Sequence, residues 1–98
     1  MIPEIKEKWI NALRSGEYEQ IRGALRREEG FCCLGVLCDI INTDCWFGNT
    51  WRRESGWLPS ELMVDLELST DADVAVLAGM NDTGKSFKQI ASYIEERL

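Results

Sequence analysis

The chain predicts an α+β fold that is mainly α, a small single domain spanning residues 1–98. It should hold four to five helices, with an extended arm or short hairpin between helices 1 and 2. Three observations carry this expectation. Apolar residues recur at helical spacing near both ends of the chain. The stretch Phe31-Cys32-Cys33-Leu34-Gly35-Val36-Leu37-Cys38-Asp39-Ile40-Ile41 carries a single charge and can only be buried. Between the first helix and that stretch, Glu17 to Arg27 holds residues that suit a strand as well as a helix.

Pro3 suits a first helical turn, and Ile5, Trp9, Ala12 and Leu13 follow on one face, so a helix is expected over about 3–14. Ser15-Gly16 ends it, with Gly16 free to take a positive φ. In the next segment Tyr18, Gln20, Arg22 and Ala24 would share one strand face, and Glu28-Glu29-Gly30 reads as a turn. The apolar stretch is expected to be a buried helix over about 32–42, because Cys33, Leu37 and Ile41 line one face with Leu34 and Cys38 beside them. Gly35 would admit a neighbouring element closely, and Asp39 needs a partner, most simply an arginine from 22–27.

Residues 43–58 read as a loop dense in aromatics: Trp46, Phe47, Trp51 and Trp57. These either cap a small core or form a wall on which a planar ligand stacks, with Arg52 and Arg53 available to a phosphate. Leu58-Pro59-Ser60-Glu61 opens a short helix that turns Leu62 and Leu66 inward. Thr70 to Asp73 resembles a capping box, after which Val74, Leu77 and Ala78 face the core to about Met80. Asn81-Asp82-Thr83-Gly84 reads as a tight turn. Ser86 to Gln89 is a capping box for a last helix bearing Phe87, Ile90, Ala91, Ile94 and Leu98.

Composition narrows the chemistry. The chain has no histidine, which removes the commonest general base and the usual activator of a serine or cysteine nucleophile. Cys32, Cys33, Cys38 and Cys45 lack paired Cys-x-x-Cys spacing, so neither a metal nor another cofactor is expected, and the thiols read as structural. The net charge of −6 hides an asymmetry: residues 1–27 balance to +2 and residues 28–98 to −8. Duplex nucleic acid is therefore not expected as a partner, because phosphate neutralisation needs a basic surface. Neither an export leader nor a membrane-length apolar run is seen, so a cytoplasmic protein without membrane contact is expected. The string from Gly79 to Ser86 matches a phosphate-binding loop by letters, but it follows a helix pattern where such a loop needs a buried strand. As a turn and helix N-terminus beside Lys85, it could still meet an anion.

Trp9, Ala12-Leu13-Arg14-Ser15-Gly16, Tyr18-x-Gln20 and Phe31 to Asp39 together resemble a family of small uncharacterised proteins of tailed bacteriophages and some bacteria. Leu58-Pro59, Met80-Asn81-Asp82-x-Gly84-x-Ser86-Phe87 and Ile90-Ala91-x-x-Ile94-Glu95 are similar to the second half of the same family. The resemblance implies a phage context, hence the cytoplasm of a host bacterium, and no particular activity. Small phage accessory proteins counter host defence by sequestering a nucleotide signal or by binding a host protein. The leading expectation is thus a non-enzymatic protein that captures a small phosphorylated nucleotide, with a pocket built between identical subunits. Arg22 and Arg26 would take phosphate, because a guanidinium fork matches its geometry. Arg52 is a further cation for phosphate, Tyr18 or Trp46 would stack on a base, and Gln20 and Asn81 would supply neutral hydrogen bonds. The alternative is an acidic module that inhibits a host enzyme or defence protein, and a third reading is a thiol enzyme or cysteine–zinc protein.

Overall fold

A computed structural model describes residues 1–28, 30–51, 60–66 and 71–98. Helix α1 spans Pro3–Ser15, and strands β1 (Glu19–Gln20), β2 (Arg26–Arg27) and β3 (Gly30–Phe31) follow. Helix α2 (Cys33–Ile41) leads through a 3₁₀ turn at Thr43–Cys45 into the hairpin β4 (Trp46–Phe47) and β5 (Thr50–Trp51). Helices α3 (Ser60–Asp65), α4 (Asp71–Asp82) and α5 (Phe87–Arg97) complete the order. The predicted class, α+β and mainly α, is the class observed. The radius of gyration is 11.9 Å, close to the roughly 13 Å of a compact 100-residue chain. Among the described residues, no helix is long and apolar enough to cross a membrane.

The expected ends of the first and last helices are present. Gly16 caps α1 in the left-handed region at φ 79°, and Ser86 and Gln89 form the reciprocal capping box of α5. Trp9, Ile10 and Leu13 of α1 are buried, as are Phe87, Ile90, Ala91 and Ile94 of α5. Leu62 of α3, Leu66 just after it, and Val74 and Leu77 of α4 come inward to the same core. Each such aliphatic side chain contributes about 1.5–3 kcal/mol when fully buried. The capping expected at Thr70, the Leu58-Pro59 opening, Arg53 and Trp57 lie outside the described residues.

Helix α2 runs through the centre, and every side chain from Cys33 to Cys38 is buried. Trp9 donates its indole N–H to the Cys33 carbonyl at 2.9 Å, tying α1 to the first turn of α2. Gly35 lies directly under Leu25: a Cβ built there would land on the Leu25 carbonyl oxygen. Only glycine permits that approach, and the neighbouring Cys32 N–H donates to the same carbonyl at 3.1 Å.

Three details differ from expectation. First, Glu17 to Arg27 is not one strand. Its two-residue pieces β1 and β2 flank β3, β1 parallel and β2 antiparallel, with Arg22 to Leu25 bending between them. A glycine at φ 82° (Gly23) makes that bend, which destroys the shared face of Tyr18, Gln20, Arg22 and Ala24. Second, residues 46–51 form a hairpin rather than irregular loop, with Trp46 opposite Trp51. Trp51 is fully buried and donates its indole N–H to the Asn42 carbonyl at 2.9 Å, while Phe47 is 88% exposed. Third, α4 continues through Asn81 and Asp82, so the turn holds only Thr83 and Gly84. The hydrogen bonds of a buried Asn81 hold that extra helical stretch, as described below. The phosphate-loop lettering accordingly falls on the end of a helix, a turn and a helix cap.

Gly35→Ala should force Leu25 away from α2 and cost about 1–3 kcal/mol or more, the usual range for overpacking. Chemical denaturation measures it, and a variant as stable as the parent would contradict the close approach.

Candidate functional site

Three of the nominated side chains, Tyr18, Arg26 and Trp46, meet around Phe31 on one partly exposed surface. The Tyr18 ring stands edge-on to Phe31, with centroids 5.1 Å apart and planes at 87°. Phe31 in turn meets Trp46 at 5.8 Å and 66°. The Arg26 guanidinium carbon lies 5.5 Å from the Phe31 ring centre and 5.3 Å from that of Trp46. Such cation–π contacts are worth about 0.5–2 kcal/mol, depending on how far water is excluded. The local folding explains the convergence. Register in the small sheet sets Arg26 against Phe31, and the turn after α2 returns the chain so that Trp46 reaches both.

Asp39 completes the cluster, and its partners correct the expectation of an arginine ion pair. Its Oδ2 accepts from the Tyr18 hydroxyl at 2.6 Å and its Oδ1 from the Trp46 indole N–H at 3.0 Å. It is half-buried rather than sunk in the core, and among the described residues no arginine pairs with it. Two neutral donors satisfy the carboxylate where a guanidinium was expected. Burial, followed by the bond to Asp39, pushes the Tyr18 phenol far above its ordinary value, so it remains a donor throughout the neutral range. The Nε of Arg26 is buried with no hydrogen-bond partner, and among the described residues its guanidinium forms no hydrogen bond or ion pair.

Gln20 and Asn81 meet elsewhere. Asn81 is 0% exposed; its Oδ1 accepts from the Cys33 N–H at 3.2 Å and from Gln20 Nε2 at 3.0 Å. Its Nδ2 donates to the Ile21 carbonyl at 2.7 Å. Gln20 Nε2 also donates to the Lys85 carbonyl at 2.8 Å. Both amides therefore serve the fold, joining β1, α2, α4 and the turn before α5. Arg22 is exposed and its Nη2 lies beside Gly84, and Arg52 lies outside the described residues.

The thiols offer no activated nucleophile among the described side chains. Cys32, Cys33 and Cys38 are buried, and burial pushes the Cys32 thiol up and that of Cys33 further still. Cys33 donates to the Leu77 carbonyl at 3.5 Å, and the Cys32 sulfur caps α2 by accepting from the Gly35 N–H at 3.4 Å. No group of residues suited to hold a metal ion occurs among the described residues. A groove of about 360 Å³ runs between α1 and α5, lined by Lys6, Glu7, Ile10, Asn11, Arg14 and Glu95 among others. Its two cations are turned to α5: Lys6 Nζ donates to the Glu95 carbonyl at 3.3 Å, and Arg14 pairs with the Glu95 carboxylate at 3.1 Å. Asp39 and Phe31 join the cluster although their residue types and spacing do not mark them as ligand contacts. Their signal was their position in a segment otherwise apolar, which reads equally as core.

Asn81→Ala should strand the Cys33 N–H and the Ile21 carbonyl and destabilise the protein by about 1–3 kcal/mol for each buried group left unpaired. Thermal unfolding reads this directly. Iodoacetamide should modify Cys32, Cys33 and Cys38 only after denaturant is added; rapid labelling of any of them in the native protein, followed by peptide mass mapping, would contradict their burial.

Among known proteins, neither a curated sequence nor a solved structure matches the chain. The family described as Domain of unknown function (DUF8296) matches residues 1–62, a span that includes Tyr18, Arg26, Phe31, Asp39 and Trp46. With more than half of its length covered by that match, the chain belongs to the DUF8296 family.

Proposed function

We propose that the protein is a non-enzymatic accessory factor of phage type that captures a small phosphorylated nucleotide signal without turning it over, in the cytoplasm of a host bacterium. One observation carries this reading: the Arg26 guanidinium is braced by two aromatic rings and makes no hydrogen bond or ion pair among the described residues. A guanidinium held in this way offers a planar fork that matches two phosphate oxygens. Because the surrounding rings are half-buried, the cluster stands at the surface, where a base can reach it. Exposed Arg22, on the bend before β2 and beside Gly84, is a second cation in the same segment. Sequestration requires affinity and stoichiometry, not a general base, which suits a chain without histidine. A pocket completed between identical subunits belongs to the same proposal.

A second reading, an acidic module that docks on a basic host enzyme or defence protein, draws on the −8 balance of residues 28–98 and on Phe47. That ring is 88% exposed on the β4–β5 hairpin, where an aromatic anchor would meet a partner.

Native mass spectrometry with a panel of cyclic and ADP-ribose-type nucleotides separates the two. The expected result is an unmodified nucleotide adduct that also gives the subunit number. Arg26→Ala should weaken it roughly tenfold to a hundredfold, the scale of hydrogen bonds to a charged group. Binding that is indifferent to this change overturns the site. No adduct and no product with any nucleotide transfers the case to the second reading and to a pull-down from host lysate.

A further inference from the structure

The partners of Asp39 pose a question that the binding reading leaves open. A carboxylate near an arginine ordinarily forms a bidentate ion pair with it. Here the Trp46 indole reaches both groups: its ring lies 5.3 Å from the guanidinium carbon and its N–H donates to Asp39 at 3.0 Å. Yet the carboxylate takes the indole N–H and the Tyr18 hydroxyl, one on each oxygen, and leaves Arg26 without a hydrogen bond among the described residues.

Resting on the phosphate-binding reading, we infer that Tyr18 and Trp46 position Asp39 away from Arg26 and so keep the guanidinium fork open for an incoming phosphate. Tyr18 is then a positioning residue that acts through Asp39, and not the base-stacking platform its sequence context suggested. Its geometry agrees, since its ring packs edge-on against Phe31 and its hydroxyl points to Asp39. The 2.6 Å length is that of a charge-assisted bond, the stronger kind. Its loss would leave one carboxylate oxygen unsatisfied in a half-buried site, and Arg26, which shares the Trp46 indole with Asp39, is the donor to take it. The phosphate fork would then close on the protein's own acid.

The test uses the full chain with ¹⁵N labelling and follows the Arg26 Nε–H resonance in the parent, Tyr18→Phe, Asp39→Asn and the double variant. Tyr18→Phe should shift this resonance downfield and slow its exchange with water, as pairing with Asp39 would. Adding Asp39→Asn should return it to the parental position. Inorganic pyrophosphate, titrated into the same samples, should bind about tenfold more weakly to Tyr18→Phe, the order of one charge-assisted hydrogen bond. Asp39→Asn should bind it at least as tightly as the parent, alone or in the double variant; a merely structural role for the cluster predicts weakened binding in both. An Arg26 resonance unmoved by Tyr18→Phe overturns this inference, whatever pyrophosphate does. A resonance that moves as expected, with no pyrophosphate bound by any protein, overturns instead the phosphate reading of the site. If Tyr18→Phe fails to unfold cooperatively, Asp39→Asn decides alone: pyrophosphate bound more weakly than by the parent overturns the inference.

Discussion

The fold turns on one buried amide. Asn81 has no exposed surface, and its side chain holds the Ile21 carbonyl beside β1, the Cys33 N–H at the start of α2 and the Gln20 side chain. A polar group withdrawn from water is costly unless its donors and acceptors are met, so Asn81 fits only one arrangement of these elements. Hydrophobic burial would accept several packings of α4 on α2; the amide selects among them. It also explains why a residue type that favours turns sits inside a helix. Asn81 needs helical backbone to aim its side chain at both the end of β1 and the start of α2.

Around this core, the surface cluster shows what aromatic side chains do in a short chain. Phe31 and Trp46 shield one arginine, while Trp46 and Tyr18 also serve one carboxylate. An indole or phenol has an apolar face and a polar edge, so a single ring can brace a cation and donate to an acid. Two opposite charges thereby share one indole, and no salt bridge between them occurs among the described residues. A direct pair would leave less to offer a ligand, because both charges would be answered within the protein.

Much of this architecture was legible in the residues. The glycine cap of α1, the serine–glutamine box of α5 and the need for glycine at position 35 follow from local geometry, and local geometry is written in a few adjacent side chains. The small sheet was less accessible. Strands of two residues carry no periodicity, and the parallel pairing of β1 with β3 depends on how α1 and α2 pack. Charge alone points to an arginine as the partner of Asp39. Donor reach decides such contacts, and neutral Tyr18 and Trp46 had it. Nominating Tyr18, Arg26 and Trp46 rested on residue type, whereas their meeting depends on a sheet register and a hairpin that residue type does not reveal. Asn81-Asp82-Thr83-Gly84 reads as a tight turn, whereas α4 runs two residues further, to Asp82, and Asn81 is buried.

The seat of Leu25 on Gly35 has a consequence for the cluster as well as for the core. Leu25 immediately precedes Arg26, and Gly35 lies one helical turn before Asp39. Contact between main chain and main chain thus fixes where the cation and the anion begin, before either side chain is placed. Dissolved salt screens attractions between charges but does not loosen a steric contact. The starting points of these two side chains are therefore a property of the backbone, indifferent to ionic strength, and only their final aim is left to the hydrogen bonds of Tyr18 and Trp46.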